Sequence, residues 1–134
     1  IPNGARALAA GKFYSIALMQ DGNIWSAGQS FEGPLYDGIV TSKNGFLFGQ
    51  RIPGAKDVAA GSYHSLVMTE HGRVWATGWN KYGQLGICTR TDWNTYREVC
   101  ENAKDIAAGT RHSVVERVLQ CSSRECVECS CVFQ

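Results

Sequence analysis

Apolar and polar positions along this chain alternate with a period of two, in short runs broken by glycine. The run Tyr63-His64-Ser65-Leu66-Val67-Met68-Thr69 is β-branched, aromatic or long apolar, as a mostly buried strand requires. Glu70-His71-Gly72-Arg73 follows it, and then Val74-Trp75-Ala76-Thr77-Gly78. A two-residue connection ending in glycine between two such runs predicts a hairpin closed by a type I′ turn, which needs positive φ. Asp21-Gly22, between 15–20 and 23–28, is the stronger form of the same signal. A shorter strand is expected at 56–60, with counterparts at 6–10 and 104–108, and a fourth strand at 46–52 and again at 96–100. No helix is required, although the segment 29–45 has room for a short one.

These elements recur. Ala9-Ala10-Gly11-Lys12-Phe13-Tyr14-Ser15 returns as Ala59-Ala60-Gly61-Ser62-Tyr63-His64-Ser65, and again as Ala107-Ala108-Gly109-Thr110-Arg111-His112-Ser113. Gly22, Trp25, Gly28, Gly33 and Leu35 return fifty positions on as Gly72, Trp75, Gly78, Gly83 and Leu85. Four short antiparallel strands per fifty residues predict propeller blades, each completing its core only by stacking on its neighbours. The units span about 4–53, 54–101 and a truncated 102–115. Small residues before each Gly of the repeat let backbones approach closely near a crowded centre. Trp25 and Trp75, at one place in successive units, are expected to pack between blades.

Composition adds boundaries. Across 134 residues, 44% are hydrophobic and 19% charged, the balance of a globular chain. The fifteen glycines fall between apolar stretches, where they mark turns and not a flexible linker. A net charge of +1 gives no bulk attraction to nucleic acid or acidic membranes. No apolar run approaches the roughly 18 residues of a transmembrane helix. The opening residues lack the regions of a signal peptide, there is no initiator Met, and the repeat is under way by Gly4. The chain therefore reads as a piece of a longer or processed protein, in an intracellular compartment, cytoplasmic or nuclear.

Val58-Ala59-Ala60-Gly61-Ser62-Tyr63-His64-Ser65-Leu66-Val67-Met68 matches the repeat signature of the regulator of chromosome condensation family at every position. Gly78-Trp79-Asn80-Lys81-Tyr82-Gly83-Gln84-Leu85-Gly86 is similar to that family's second signature, G-x-N-x-x-G-Q-L-G. Kelch units would need a paired glycine and WD units a Trp-Asp dipeptide, and neither occurs here. The first unit has Tyr14 where the family has His, and Gly28–Leu35 only approximates the second signature. The third unit reaches Glu116 where an apolar residue is expected, and the pattern stops there. The resemblance implies an all-β, seven-bladed propeller of four-stranded antiparallel blades, of which this chain supplies an incomplete ring.

Candidate chemistry is sparse. His64 and His112 titrate near neutral pH as a residue type, but a catalytic residue has no reason to recur once per blade. An imidazole hydrogen-bonded inside each blade is expected instead. Asp57 and Asp105 recur likewise and suit capping of local backbone groups or solvation. Ser15, Ser65 and Ser113 lie in no nucleophile elbow, and no phosphate or dinucleotide loop occurs. We expect no catalytic residue, no cofactor, no metal and no small-molecule substrate. Cys121, Cys126, Cys129 and Cys131 crowd the divergent 116–134 tail. They admit a thiolate metal site, disulfides, or a non-native, spliced or out-of-frame end, the last being the reading adopted. Cys88 and Cys100 read as ordinary blade residues.

Function then falls to the connections, 29–43 and 79–94, where sequence varies and propellers recognise partner proteins. Trp79, Lys81, Tyr82, Arg90 and Trp93 form the candidate partner-binding loop, a mix of aromatic and basic residues typical of interface anchors. Packing of Trp79 against its own blade is the plainer account of that residue. The expected function is a non-enzymatic protein-interaction scaffold. The family resemblance implies an alternative, guanine-nucleotide exchange on a small GTPase of the Ran type, and more remotely chromatin association. No Lys/Arg-rich terminus supports the last, and nucleic acid is not an expected partner of this segment.

Overall fold

The structure is a computed structural model and describes residues 4–28, 43–87, 89–91 and 93–117. The first sheet runs in the order β1 (Ala5–Ala10), β2 (Tyr14–Met19), β3 (Asn23–Gly28), β4 (Lys43–Arg51). The second repeats it with β5 (Ala55–Ala60), β6 (His64–Thr69), β7 (Val74–Gly78) and β8 (Trp93–Cys100). The third pairs β9 (Ala103–Ala108) with β10 (Ser113–Arg117). Every pairing is antiparallel. Among the described residues there is no helix, and the three blades stack side by side without closing a ring. Strand pairing persists through Glu116 to Arg117. The proposed loop 29–43 lies outside the described residues except at Lys43, as do Cys88, Asp92 and the tail cysteines.

The hairpin turns differ from expectation. Gln20, Asp21 and Gly22 all lie between β2 and β3, and only Gly22 has positive φ (82°). Gly22 N–H returns to the Met19 carbonyl at 3.1 Å. This is a three-residue loop with glycine in the left-handed position, not a type I′ turn. The Asp21 carboxylate accepts from Asn23 N–H (3.0 Å), which favours the turn over an open loop.

Period-two alternation gives each blade two apolar faces. Val58, Val67 and Trp75 lie directly across neighbouring strands and face the first blade, joining Ile16, Leu18 and Ile24. Leu66, Met68, Val74 and Ala76 point the other way and meet Ile106 and Val115 of the third blade. Trp75 is thus an inter-blade ring, half-buried. The equivalent triad of the first blade is Leu8, Ala17 and Trp25. Leu8 is 69% exposed where Val58 is 7% and Ile106 8%, since the described residues place no blade against it. Glu116 takes the place of Leu18 and Met68 on the outer flank, where it stays in solvent and pairs with Lys104 at 3.5 Å. Cys100 is buried in the second cluster and disulfide-bonded, which corrects its reading as an ordinary blade residue.

Candidate protein-binding face

An antiparallel meander sends its connections alternately to two ends. The turns 11–13, 61–63 and 109–112 share one end with the loop 79–91, and the three-residue hairpins share the other. The three Ala-Gly turns converge on an open funnel of about 290 Å3.

The fixed residues of this end are framework. A Cβ on Gly61 would strike the His64 ring and come 2.5 Å from the Gly109 carbonyl oxygen; Gly11 stands in the same relation to Tyr14 and Gly61. Glycine is therefore set by a ring three residues on and by the next blade's backbone. The ring then reaches across the interface. Tyr14 OH donates to the carbonyls of Gly61 (2.9 Å) and His64. His64 Nε2 lies 2.9 Å from Ser113 Oγ in the third blade. Ser113 gives its single proton to the Gln84 carbonyl at 2.7 Å, so the proton of the Nε2–Oγ bond comes from the ring. The latch is between blades, where the sequence suggested a bond within each. His112, lacking a described successor, is exposed.

Electrostatics follow burial. Desolvation lowers the His64 pKa to about 4, partly opposed by a hydrogen bond to the His112 backbone. The imidazole is neutral at physiological pH and sealed from solvent, a poor general acid or base. Desolvation raises the Tyr14 phenol well above its usual value, and neighbouring Tyr96 raises it further. Tyr96 itself is raised by burial, partly offset by its 2.7 Å bond to Ser65 Oγ. Asp57 and Asp105 each accept the following residue's N–H at 2.8 Å, a local capping role. Among the described residues no three His, Cys, Asp or Glu side chains gather as metal ligands would.

The loop after β7 is built by two buried amides. Asn80 Oδ1 accepts Leu85 N–H (2.9 Å), while Nδ2 donates to the carbonyls of Thr89 (2.8 Å) and Thr91 (3.0 Å). Gln84 Oε1 accepts Tyr82 N–H at 3.0 Å. These bonds hold Tyr82 outward, 39% exposed. Trp79 N–H donates to the Tyr63 carbonyl (2.8 Å), and its ring sits edge-on between Tyr63 (5.7 Å) and Tyr82 (5.4 Å). Lys12 Nζ caps Tyr63 at 5.8 Å and Phe13 at 5.1 Å, and the Arg111 guanidinium caps Tyr82 at 4.8 Å. The result is a continuous row, Phe13–Lys12–Tyr63–Trp79–Tyr82–Arg111, crossing all three blades.

Of the residues singled out in the sequence, Trp79 and Tyr82 join this row, and Lys81 and Arg90 stand exposed beside it. Trp93 does not join. It opens β8, packs against the second core cluster, and is covered by Arg97 at 4.8 Å. Lys12, Phe13, Tyr63 and Arg111 were not anticipated. A signal existed: they occupy the pair of positions between Gly and His/Tyr that changes in every copy of the motif.

Stacked four-stranded blades with an inter-blade ring latch define a β-propeller repeat protein. The sequence profiles of the regulator of chromosome condensation (RCC1) repeat match residues 55–84 and 71–115. Residues 55–115 are repeats of the RCC1 family. No curated protein sequence matches it. It is similar in fold to Prp20p of Saccharomyces cerevisiae, described for its binding to Gsp1p and histones (24% identity, TM-score 0.76), over 90% of this chain and 32% of that one. Human WBSCR16 superposes at TM-score 0.73 with 20% identity, over 87% and 32% of the two chains. Yeast RCC1 (Prp20) bound to Kap60 gives 0.64 and 23%, over 81% and 29%. The chain spans about a third of the length of these solved relatives. No helix among the described residues is long and apolar enough to cross a membrane.

Proposed function

We propose that the chain is part of a non-enzymatic propeller that binds a partner protein through the 11–13, 61–63, 79–91 and 109–112 end. The observation that carries this reading is the exposed aromatic–cationic row, with Phe13 52% and Tyr82 39% exposed on rigid, strand-anchored turns. Of the groups singled out for chemistry, His64, Ser65 and Ser113 are buried in latches. Placing a photo-crosslinking amino acid at 82, and at 73 on the opposite end as control, tests it. Crosslinks to one protein at 82 and not at 73, abolished in the purified pair by Trp79→Ala, are expected. Equal labelling at both positions would sink the reading.

A second reading is nucleotide exchange on a Ran-type small GTPase. Its support is the fold shared with Prp20p, which is described for binding Gsp1p. Release of labelled GDP from such a GTPase decides it, and no acceleration at micromolar chain removes it. An intracellular setting fits both readings; the disulfide at Cys100 is the feature that fits it least.

A further inference from the structure

The described residues of this end carry Lys12, Lys81, Arg90 and Arg111, all exposed, and no Asp or Glu. Away from it, cations meet carboxylates: Arg6 with Glu70 (3.0 Å), Arg73 with Glu98 (3.1 Å), Lys104 with Glu116 (3.5 Å). Among the described residues, this end thus gathers positive charge with no carboxylate beside it, in a chain of net charge +1. Two of these cations are also held in place. The Arg111 guanidinium lies over Tyr82, and Lys12 over Phe13 and Tyr63, so less side-chain freedom remains to be lost on binding. A guanidinium stacked on a ring keeps its edge N–H donors for a bidentate carboxylate.

Resting on the reading that this end docks a protein, we propose that its ligand is an acidic segment of the partner. Carboxylates engage Lys12 and Arg111, and an apolar side chain lies against Phe13 and Tyr82. Nucleic acid offers anions too, but it binds such surfaces by stacking bases on open aromatic faces. Here cations already cover a face of Phe13, Tyr63 and Tyr82, and Trp79 meets its two neighbours edge-on at 80° and 85°. The row is arranged for carboxylates.

The test is fluorescence anisotropy of the whole chain with three labelled probes. They are a short peptide alternating Asp and Glu with Phe, the same peptide with Asn and Gln in place of the acids, and oligothymidylate. The acidic peptide is expected to bind, weakening as salt rises from about 50 to about 200 mM. Lys12→Ala and Arg111→Ala should each weaken it about tenfold, while Arg73→Ala changes nothing, with thermal unfolding confirming that all three variants are folded. Equal binding of the neutral peptide overturns the acidic class and leaves the docking face standing. Tighter binding of oligothymidylate, or an equal loss in Arg73→Ala, also overturns it. No binding by either peptide overturns it together with the docking reading.

Discussion

Within one turn, adjacent residues have opposite fates. Gly61, His64 and Ser65 are buried and locked to neighbouring strands, while Ser62 and Tyr63 between them reach the surface. In the first copy Gly11 and Tyr14 do the locking, and Lys12 and Phe13 face solvent. The residues that repeat hold blades together, and the residues that vary stand at the surface, where the proposed partner would meet them. Recurrence along this chain therefore marks architecture, and departure from recurrence marks what the turns leave exposed.

The contrast breaks most severely at Gly61. Gly61→Val drives side-chain carbons into the His64 ring and the Gly109 carbonyl, and should cost more than about 4 kcal/mol, enough to abolish cooperative unfolding by circular dichroism. Acid is the next lever. The native His64 pKa is lowered to about 4, against about 6.5 in the unfolded chain, so the unfolded state binds the extra proton first. Stability should be full above about pH 6.5, fall as pH drops toward 4, and level off below, a loss on the order of 3 kcal/mol. Denaturant midpoints across that range check it, and an unchanged slope in His64→Gln would refute the assignment. Ser113→Ala removes the partner of Nε2 and a donor to Gln84, and should cost about 1–3 kcal/mol in the same assay. The surface residues complete the series. Tyr82→Ala should shift stability by less than about 0.5 kcal/mol yet abolish crosslinking to the partner from a probe moved to position 81; a larger loss of stability would move Tyr82 into the framework.

Much of the fold was legible because strands write their own periodicity. The runs around Leu66 and Trp75, the spacing of the glycines and the small residues before Gly61 each follow from contacts local to one blade or identical in all. The latch was not legible in full. That His64 bonds Ser113, forty-nine residues away, depends on how blades stack, and a repeat shows only that both positions matter. The turn at Asp21 misled for a different reason, since a glycine in the left-handed position serves both the two-residue and the three-residue loop. Part of the candidate site could be read from the basic and aromatic residues after Gly78. The rest, Lys12, Tyr63 and Arg111, comes from three turns that only stacking brings together. Trp93 looked equivalent to Trp79 in composition, but strand pairing with Gly78 turns it to the core.

The latch also has a direction. Tyr14 donates to carbonyls forty-seven and fifty residues later, and His64 reaches forward by forty-nine. On the ribosome, each ring is therefore made before the groups that will hold it. A lengthening chain carries its newest ring unheld until the next turn emerges and closes the bond.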